Sequence, residues 1–296
     1  MSSRMPSVST MADVRIATRR SALALAQANE VAAKLIAVHP DLEIDLVEVV
    51  TSGDRDRLSS VATLTEVGAF VRSVQQAVLD GTADVAVHSC KDLPVAGPPG
   101  LTAFYPERAQ PWDVLCGGDL VALPAGARVG TGSPRRTAQL RALRPDVAID
   151  DIRGNVDTRL DKVASGEYDA VVLAEAGLSR LGRSAEIGHR FALREMVPAP
   201  AQAALAVETR EDDPMSGLLA GIDHRPTRIA VETERALLAL TRAGCRSALG
   251  AHATVGADSS VRVVGFVEDD EGPRYAEAEG ADPVSAARHL QVALGL

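Results

Sequence analysis

ADVAVHSCKDLP, residues Ala83–Pro94, is the stretch from which the rest of the chain is read. Ala83 to His88 has the composition of a short buried strand, with β-branched Val85 and Val87 spaced by two. The apolar run stops at Ser89-Cys90-Lys91-Asp92, and Pro94 forbids further ladder pairing. In α/β proteins, ligands bind where strands give out at their carboxyl ends. The Lys91-Asp92 pair is therefore a candidate site, although a surface ion pair behind a strand has the same local pattern.

The bounds on the answer come from the whole chain. Its 296 residues exceed one ordinary domain and predict two or three. Hydrophobic residues at 46% and charged residues at 24% suit a soluble globular protein, while 3% aromatics means cores of Ala, Val, Leu and Ile. A formal net charge of −9 argues against a nucleic-acid partner and makes any local cluster of arginines more informative. Cys90, Cys116 and Cys245 form no CxxC pair, so free thiols in a reducing compartment are expected. The histidines are scattered, without an HExxH pair, and no metal is expected. No run of 18 apolar residues predicts a membrane span, and the N-terminal stretch lacks the apolar core of a secretory signal. A cytoplasmic protein is expected, with residues 1–12 a disordered lead and Met11 a candidate start.

Val14–Ala17 reads as a strand, and Ser21–Val38 as a helix capped by Ser21 and ending before His39-Pro40. Ile44–Val50 is a second strand, Thr51–Ser60 a polar stretch, and Phe70–Leu79 lies in a helix. This alternation predicts parallel sheets with crossover helices. Arg19 falls at a strand-to-helix junction, where backbone N–H groups and a cation can meet an anion, unless it is merely a solvated loop charge. The break Val95–Gly100 leads to Pro106–Asp113, read as a first crossing into another domain.

Beyond it, Val129-Gly130 ends a short strand, Ser133 is a good N-cap and Pro134 suits the first helical position. Arg135 and Arg136 then occupy a first turn where the helix dipole disfavours cations. An anion docking at that helix start would account for them. Val147–Asp150 is a strand, Asn155 caps a helix beginning at Val156, and a strand at Ala170–Leu173 runs into Ala174–Leu181, which carries Arg180. Arg135, Arg136, Arg141, Arg144, Arg153 and Arg159 crowd one segment. Arginine grips planar carboxylates bidentately, so the segment reads as a cradle for a polycarboxylate. Neither GxxxxGK[ST] nor GxGxxG is present to favour phosphate.

Met196–Ala206 reads as the second crossing, returning the chain to the first domain. A short helix follows between Asp212 and Asp223, then an amphipathic helix, Ile229–Thr241, and a loop, Ala243–Arg246, carrying Cys245. Strands at Ala251–Val255, Val261–Val267 and Arg274–Glu279 precede a last helix capped by Asp282, with Pro283 first. No internal repeat is evident. The expected domains are 13–108 with 205–222, then 109–204, then 225–296.

Set side by side, RIATRRSALALAQ (Arg15–Gln27), TSGD (Thr51–Asp54), ADVAVHSCKDLP, VGTGSPRRTAQL (Val129–Leu140), IRGNVDTRL (Ile152–Leu160), AGLSRLG (Ala176–Gly182) and ERALLALTRAGC with GAHA resemble the porphobilinogen deaminase family in order and spacing. The resemblance implies an α/β fold of two lobes like periplasmic binding proteins, with a hinge and cleft, plus a small α+β C-terminal domain. It implies a dipyrromethane cofactor held as a thioether by Cys245, and polymerisation of four porphobilinogen molecules, with release of ammonia, to a linear tetrapyrrole of porphyrin and heme biosynthesis. Asp92 would be the catalytic carboxylate, stabilising the cationic pyrroles that form when ammonia leaves. Lys91, Ser133, Arg135, Arg136, Arg159, Ser89 and Gln202 would hold the cofactor. Arg19, Ser21, Arg153 and Arg180 would engage porphobilinogen. A monomer is expected.

The match departs from the family at several places. Thr65–Phe70 stands where a Gly-Gly-Lys-Gly-Leu-Phe loop is common, and Ala201-Gln202-Ala203 where Gly-Gln-Gly is common, which should stiffen a hinge. Gly132 and Pro134 flank the double arginine in place of commoner residues. Trp112 replaces an arginine, Arg242-Ala243 replaces Glu-Gly before Gly244-Cys245, and Glu175 is expected on a strand facing the cleft. Two competing readings follow: a divergent paralogue acting on another pyrrole, and a two-lobed carboxylate-binding protein.

Overall fold

The computed structural model describes residues 13–49, 64–241 and 248–296, with side chains excluded at 64–67 and 69. The lead at 1–12, the TSGD motif, the stretch Thr51–Ser60 and the loop bearing Cys245 lie outside the described residues.

Short β-branched runs form the first sheet. β1 (Val14–Arg19), β2 (Ile44–Val49) and β3 (Val85–Ser89) are parallel, with β1 in the middle of the three. β4 (Leu101–Phe104) and β10 (Leu205–Arg210) complete the order β2-β1-β3-β10-β4. α1 (Ala22–Val38) covers one face, where Ala28, Val31 and Leu35 pack on Val14, Ile16, Val85 and Val87. α2 (Leu64–Leu79) covers the other through Val74 and Val78 against Ala17 and Ala86. Residues Thr65–Phe70 are thus helical rather than a loop.

The second sheet is built from β5 (Asp113–Cys116), β6 (Arg128–Gly130), β7 (Ala148–Asp150), β8 (Ala170–Ala174) and β9 (Ile187–Arg190), in the order β7-β6-β8-β5-β9. α3 (Pro134–Leu143), α4 (Val156–Ala164) and α5 (Glu175–Arg180) connect or follow its strands. Alternation along β8 sends Ala170 and Val172 to one core and Val171 and Leu173 to the other. Both faces of this strand are buried, which is why it reads as an unbroken apolar run.

The expected parallel pairing holds for β1, β2 and β3 and for β6, β7 and β8, but each sheet also carries antiparallel strands. β10 runs antiparallel to β3 and β4, and β5 runs antiparallel to β8 and β9. Both antiparallel strands adjoin the two places where the chain passes between sheets. A topological repeat is also present despite the lack of one in sequence. In each sheet three parallel strands are followed by an antiparallel one and an edge strand.

The remaining residues form an antiparallel sheet, β11 (Ala248–Val255), β12 (Val261–Asp269) and β13 (Gly272–Gly280). α6 (Met215–Ala220) precedes α7 (Arg225–Leu240), and α7 packs with α8 (Pro283–Ala293) on this sheet through Leu237 and Leu290. Asp282 caps α8 in a capping box with Ser285.

Candidate active site

Four strand ends converge on one cavity of about 520 Å³. β1 ends at Arg19, β3 at Ser89, β7 shortly before Arg153 and β8 at Ala174. Each is the carboxyl end of a parallel strand, the position at which open α/β sheets leave space for ligands. The starts of α1, α4 and α5 line the same cavity through Ala22, Asn155 and Ala176. Their positive dipole ends add to an anion-attracting field. Ser21 and Asn155 cap two of these helices, accepting from the Ala24 and Thr158 amides at 3.3 and 2.8 Å. Gly154, at φ +112°, makes the turn before Asn155; a Cβ there would approach the Thr158 side chain to 2.8 Å.

Asp92, Lys91 and Ser89 enter from the first sheet together with Arg19 and Ser21. Arg136, Arg153, Arg159 and Arg180 enter from the second. Asp92 lies in a single 3-10 turn, Cys90–Asp92, held where the Cys90 amide donates to the Ala204 carbonyl at 3.0 Å. Among the described residues nothing hydrogen-bonds to its carboxylate, which is exposed to the cavity. Ser89 Oγ accepts from Gln27 at 2.8 Å. The Arg19 guanidinium lies 4.1 Å over the Phe70 ring, and its buried Nε has no hydrogen-bond partner among the described residues. Gln27 and Phe70 are cavity residues that the sequence reading passed over. Phe70 sits within the noted departure at Thr65–Phe70, and Gln27 closes the first motif, but neither carries a charge to signal a role.

Three assigned residues do not reach the cavity. Arg135 is buried behind it and donates to Asp113 Oδ2 at 2.6 Å and to the Val197 carbonyl at 2.7 Å. Ser133 caps α3, its hydroxyl accepting from the Arg136 amide. Gln202 is fully buried and donates to the Pro111 carbonyl at 2.7 Å and to Asp113 Oδ1 at 3.0 Å. In this structure these three support the cavity wall from beneath and do not line it. Cys245 lies outside the described residues. The arginine cradle is narrower than its sequence cluster, because Arg144 is spent on Asp146 and the Leu123 carbonyl and Arg141 is exposed elsewhere. Glu175 opens α5, not a strand facing the cleft, and pairs with Arg190. Trp112 packs against His252, ring centroids 5.5 Å apart and tilted by 58°, and does not line the cavity.

The missed organiser is Asp113, the first residue of β5. It is fully buried and accepts from Arg135, Gln202 and, at 2.9 and 2.7 Å, from Arg136 Nε and Nη2. Burial alone would raise its pKa, but Arg135 and Arg136 hold it well below the ordinary carboxylate range. One carboxylate thus faces two guanidinium groups, with Lys91 close by. Burial pushes the Lys91 pKa down to about 8, opposed by Asp92 and helped by Arg136. Its ammonium reaches Gln202 Oε1 at 3.4 Å. Arg159 is also destabilised as a cation, first by burial and then by Arg136 and Arg153. An excess of half-buried positive charge and an unpartnered Arg19 Nε fit a ligand bearing several carboxylates. Cys90 and Cys116 are buried, and burial raises their pKa values to about 12 and about 11, so neither is poised as a nucleophile.

The comparisons agree with this chemistry. Residues 14–216 match the family model described as porphobilinogen deaminase, dipyromethane cofactor binding domain. A porphobilinogen deaminase of Brevibacillus brevis is 41% identical over 289 residues, covering 95% of this chain and 93% of that protein. Those of Acidothermus cellulolyticus and Xanthomonas axonopodis pv. citri are 47% and 44% identical, covering 86% and 97% of this chain and 79% and 96% of theirs. Among solved structures, the Bordetella pertussis BvgS periplasmic VFT2 domain is 15% identical with a TM-score of 0.40, covering 70% of this chain and 85% of that one. That likeness is too slight to bear on function. The sequence relatives and the family model agree: the chain belongs to the porphobilinogen deaminase family.

Proposed function

We propose that this cavity is where the family's reaction, the head-to-tail condensation of porphobilinogen to a linear tetrapyrrole, is carried out, with Asp92 as its catalytic carboxylate. The observation that carries the reading is the single cavity joining Asp92 to Lys91, Arg19, Arg136, Arg153, Arg159 and Arg180. When bound, the dipyrromethane supplies the nucleophilic pyrrole carbon to which the first substrate is joined. Lys91, Arg136 and Arg159 would hold its carboxylates, with Arg135, Gln202 and Ser133 keeping those side chains in place. Arg19, Ser21, Arg153 and Arg180 would bind the acetate and propionate of incoming porphobilinogen.

Asp92 is suited to its role because it is the one acid on its wall of a cationic cavity and carries no hydrogen bond from a described residue. Loss of ammonia from porphobilinogen leaves positive charge on the pyrrole, and a carboxylate facing the ring N–H stabilises that charge. The same carboxylate can relay the ring proton. A carboxylate already engaged by an arginine, as Asp113 is, would do neither.

The reading extends to the architecture. The first two sheets would act as two lobes hinged at the connections 105–112 and 191–204, with the third sheet a separate domain presenting Cys245. A cytoplasmic monomer is proposed, consistent with two buried free thiols. Intact-mass spectrometry of the purified protein tests the cofactor. An excess equal to two linked pyrroles, lost in Cys245→Ala, is expected, and an unmodified Cys245 in protein that releases tetrapyrrole from porphobilinogen would overturn the attachment. A protein that carries the adduct but turns over only another pyrrole would favour the divergent paralogue.

A further inference from the structure

We propose that Glu30 is an internal competitor for the substrate carboxylate at Arg180, and thereby sets how tightly the protein engages porphobilinogen. The proposal rests on the reading of Arg180 as a substrate contact. Arg180 ends α5 on the second sheet, and Glu30 lies in α1 on the first, 150 residues away in sequence. Arg180 Nε donates to Glu30 Oε2 at 2.8 Å, and its Nη2 donates to the Ala203 carbonyl at 3.1 Å. The Arg180 side chain is 9% exposed and that of Glu30 29%.

The other cavity cations differ. Arg19 keeps a buried Nε without a partner among the described residues, and Arg159 Nε is satisfied by the uncharged Gly154 carbonyl. Arg153 pairs with Asp151, two residues away, where both are largely exposed and water screens the pair. Arg136 is fixed to Asp113 within its own sheet. Arg180 alone among these cavity arginines spends its charge on a carboxylate from the opposite sheet. Glu30 itself does not line the cavity but reaches Arg180 from behind.

A guanidinium has five donors, so an entering carboxylate finds N–H groups still free on Arg180. It also finds a second negative charge, that of Glu30, across the same guanidinium in a poorly screened setting. The two carboxylates repel, and binding must either displace Glu30 or accept that repulsion. Because the pair bridges the two sheets, displacement would also remove one tie across the cavity. Lys34 Nζ, 4.0 Å from Glu30 Oε1, offers the released carboxylate an alternative partner.

The test uses the full-length, cofactor-loaded protein. Glu30→Gln keeps the shape and the Ala203 bond while removing the competing charge. Its KM for porphobilinogen is expected to fall about three- to tenfold with kcat within about twofold, the range of a partly screened ion pair. Citrate, as a non-reacting carboxylate probe read by its effect on Tm, should bind more tightly by a similar factor. Arg180→Gln should raise KM. If Glu30→Gln leaves KM and citrate binding unchanged, or raises KM, while Arg180→Gln raises KM, the competition is refuted and the site reading stands. If Arg180→Gln also leaves KM unchanged, the reading of Arg180 fails and the proposal with it. An equal fall in KM for Asp157→Asn, which removes a charge from the same cavity wall, would refute a specific role for Glu30.

Discussion

Asp92, lining the cavity, and Asp113, buried beneath Arg135 and Arg136, are two carboxylates with opposite fates. Asp113 is fully buried and saturated by donors, whereas Asp92 is exposed and accepts no hydrogen bond from a described residue, as the proposed catalytic role requires. Asp92→Asn is expected to keep the fold and Tm but to slow turnover by roughly 10²-fold or more; near-normal turnover would remove the role. Lys91 gives a pH prediction with a definite sign. Its folded pKa of about 8 lies below the ordinary 10.5, so between these values the unfolded chain binds more protons and stability rises with pH. A bound carboxylate raises that pKa again, so binding takes up a proton near pH 8 and weakens as pH climbs beyond it. KM measured from pH 7 to 9.5 should rise in the wild type and stay flatter in Lys91→Arg, whose charge does not titrate in this range. Parallel profiles for the two proteins would assign the pH effect elsewhere.

At the scale of single elements, the connection between β9 and β10 differs most from what its residues suggested. Ala201 and Ala203 adopt φ +60° and +70°, the left-handed region that favours glycine. The alanines do not simply stiffen this segment; each holds a conformation that glycine would adopt without strain. Relief of that strain, partly offset by the greater freedom of glycine in the unfolded chain, is expected to leave Ala201→Gly and Ala203→Gly neutral or more stable by up to about 1 kcal/mol. Denaturant unfolding would read this, and a loss of 1 kcal/mol or more in either variant would show that the positive φ is not costly. The strand-to-helix junctions are the opposite case. Ser21, Ser133, Asn155 and Asp282 were all legible as N-caps because capping depends on neighbours within three residues. The antiparallel strands β4, β5, β9 and β10 were not, because four to six residues flanked by proline and polar residues carry little periodic signal.

On the scale of the molecule, one buried acid ties the three sheets. Glu234 of α7 is fully buried, takes two hydrogen bonds from Arg108 at 2.7 and 3.1 Å, and accepts the Ala201 and Ala253 amides at 2.5 and 2.8 Å. Arg108 and Ala201 belong to the two connections between the first two sheets, and Ala253 to the third. Arg108 Nε also donates to the Gln202 carbonyl at 2.7 Å, and the Gln202 side chain continues to Asp113. Removing one partner of a buried pair strands the other charge. Glu234→Ala is therefore expected to lose about 3–5 kcal/mol, against a much smaller effect for an exposed pair such as Arg128–Asp150. Calorimetric unfolding that left Glu234→Ala within about 1 kcal/mol of the wild type would show that the connections are held by something else.

The family, its reaction and most of the cavity were written in local sequence: motif order, caps, strand ends, and the arginines that follow them. Such features depend on residues close together in the chain, so a linear reading reaches them. What the tertiary structure alone decided is which charges are free. Arg135 and Arg136 are adjacent in sequence, yet only Arg136 lines the cavity. Asp113, Glu30 and Glu234 find their partners 22, 150 and 126 residues away. A charge is a ligand site or a structural tie according to what lies across from it, and that neighbour is set by how the sheets meet.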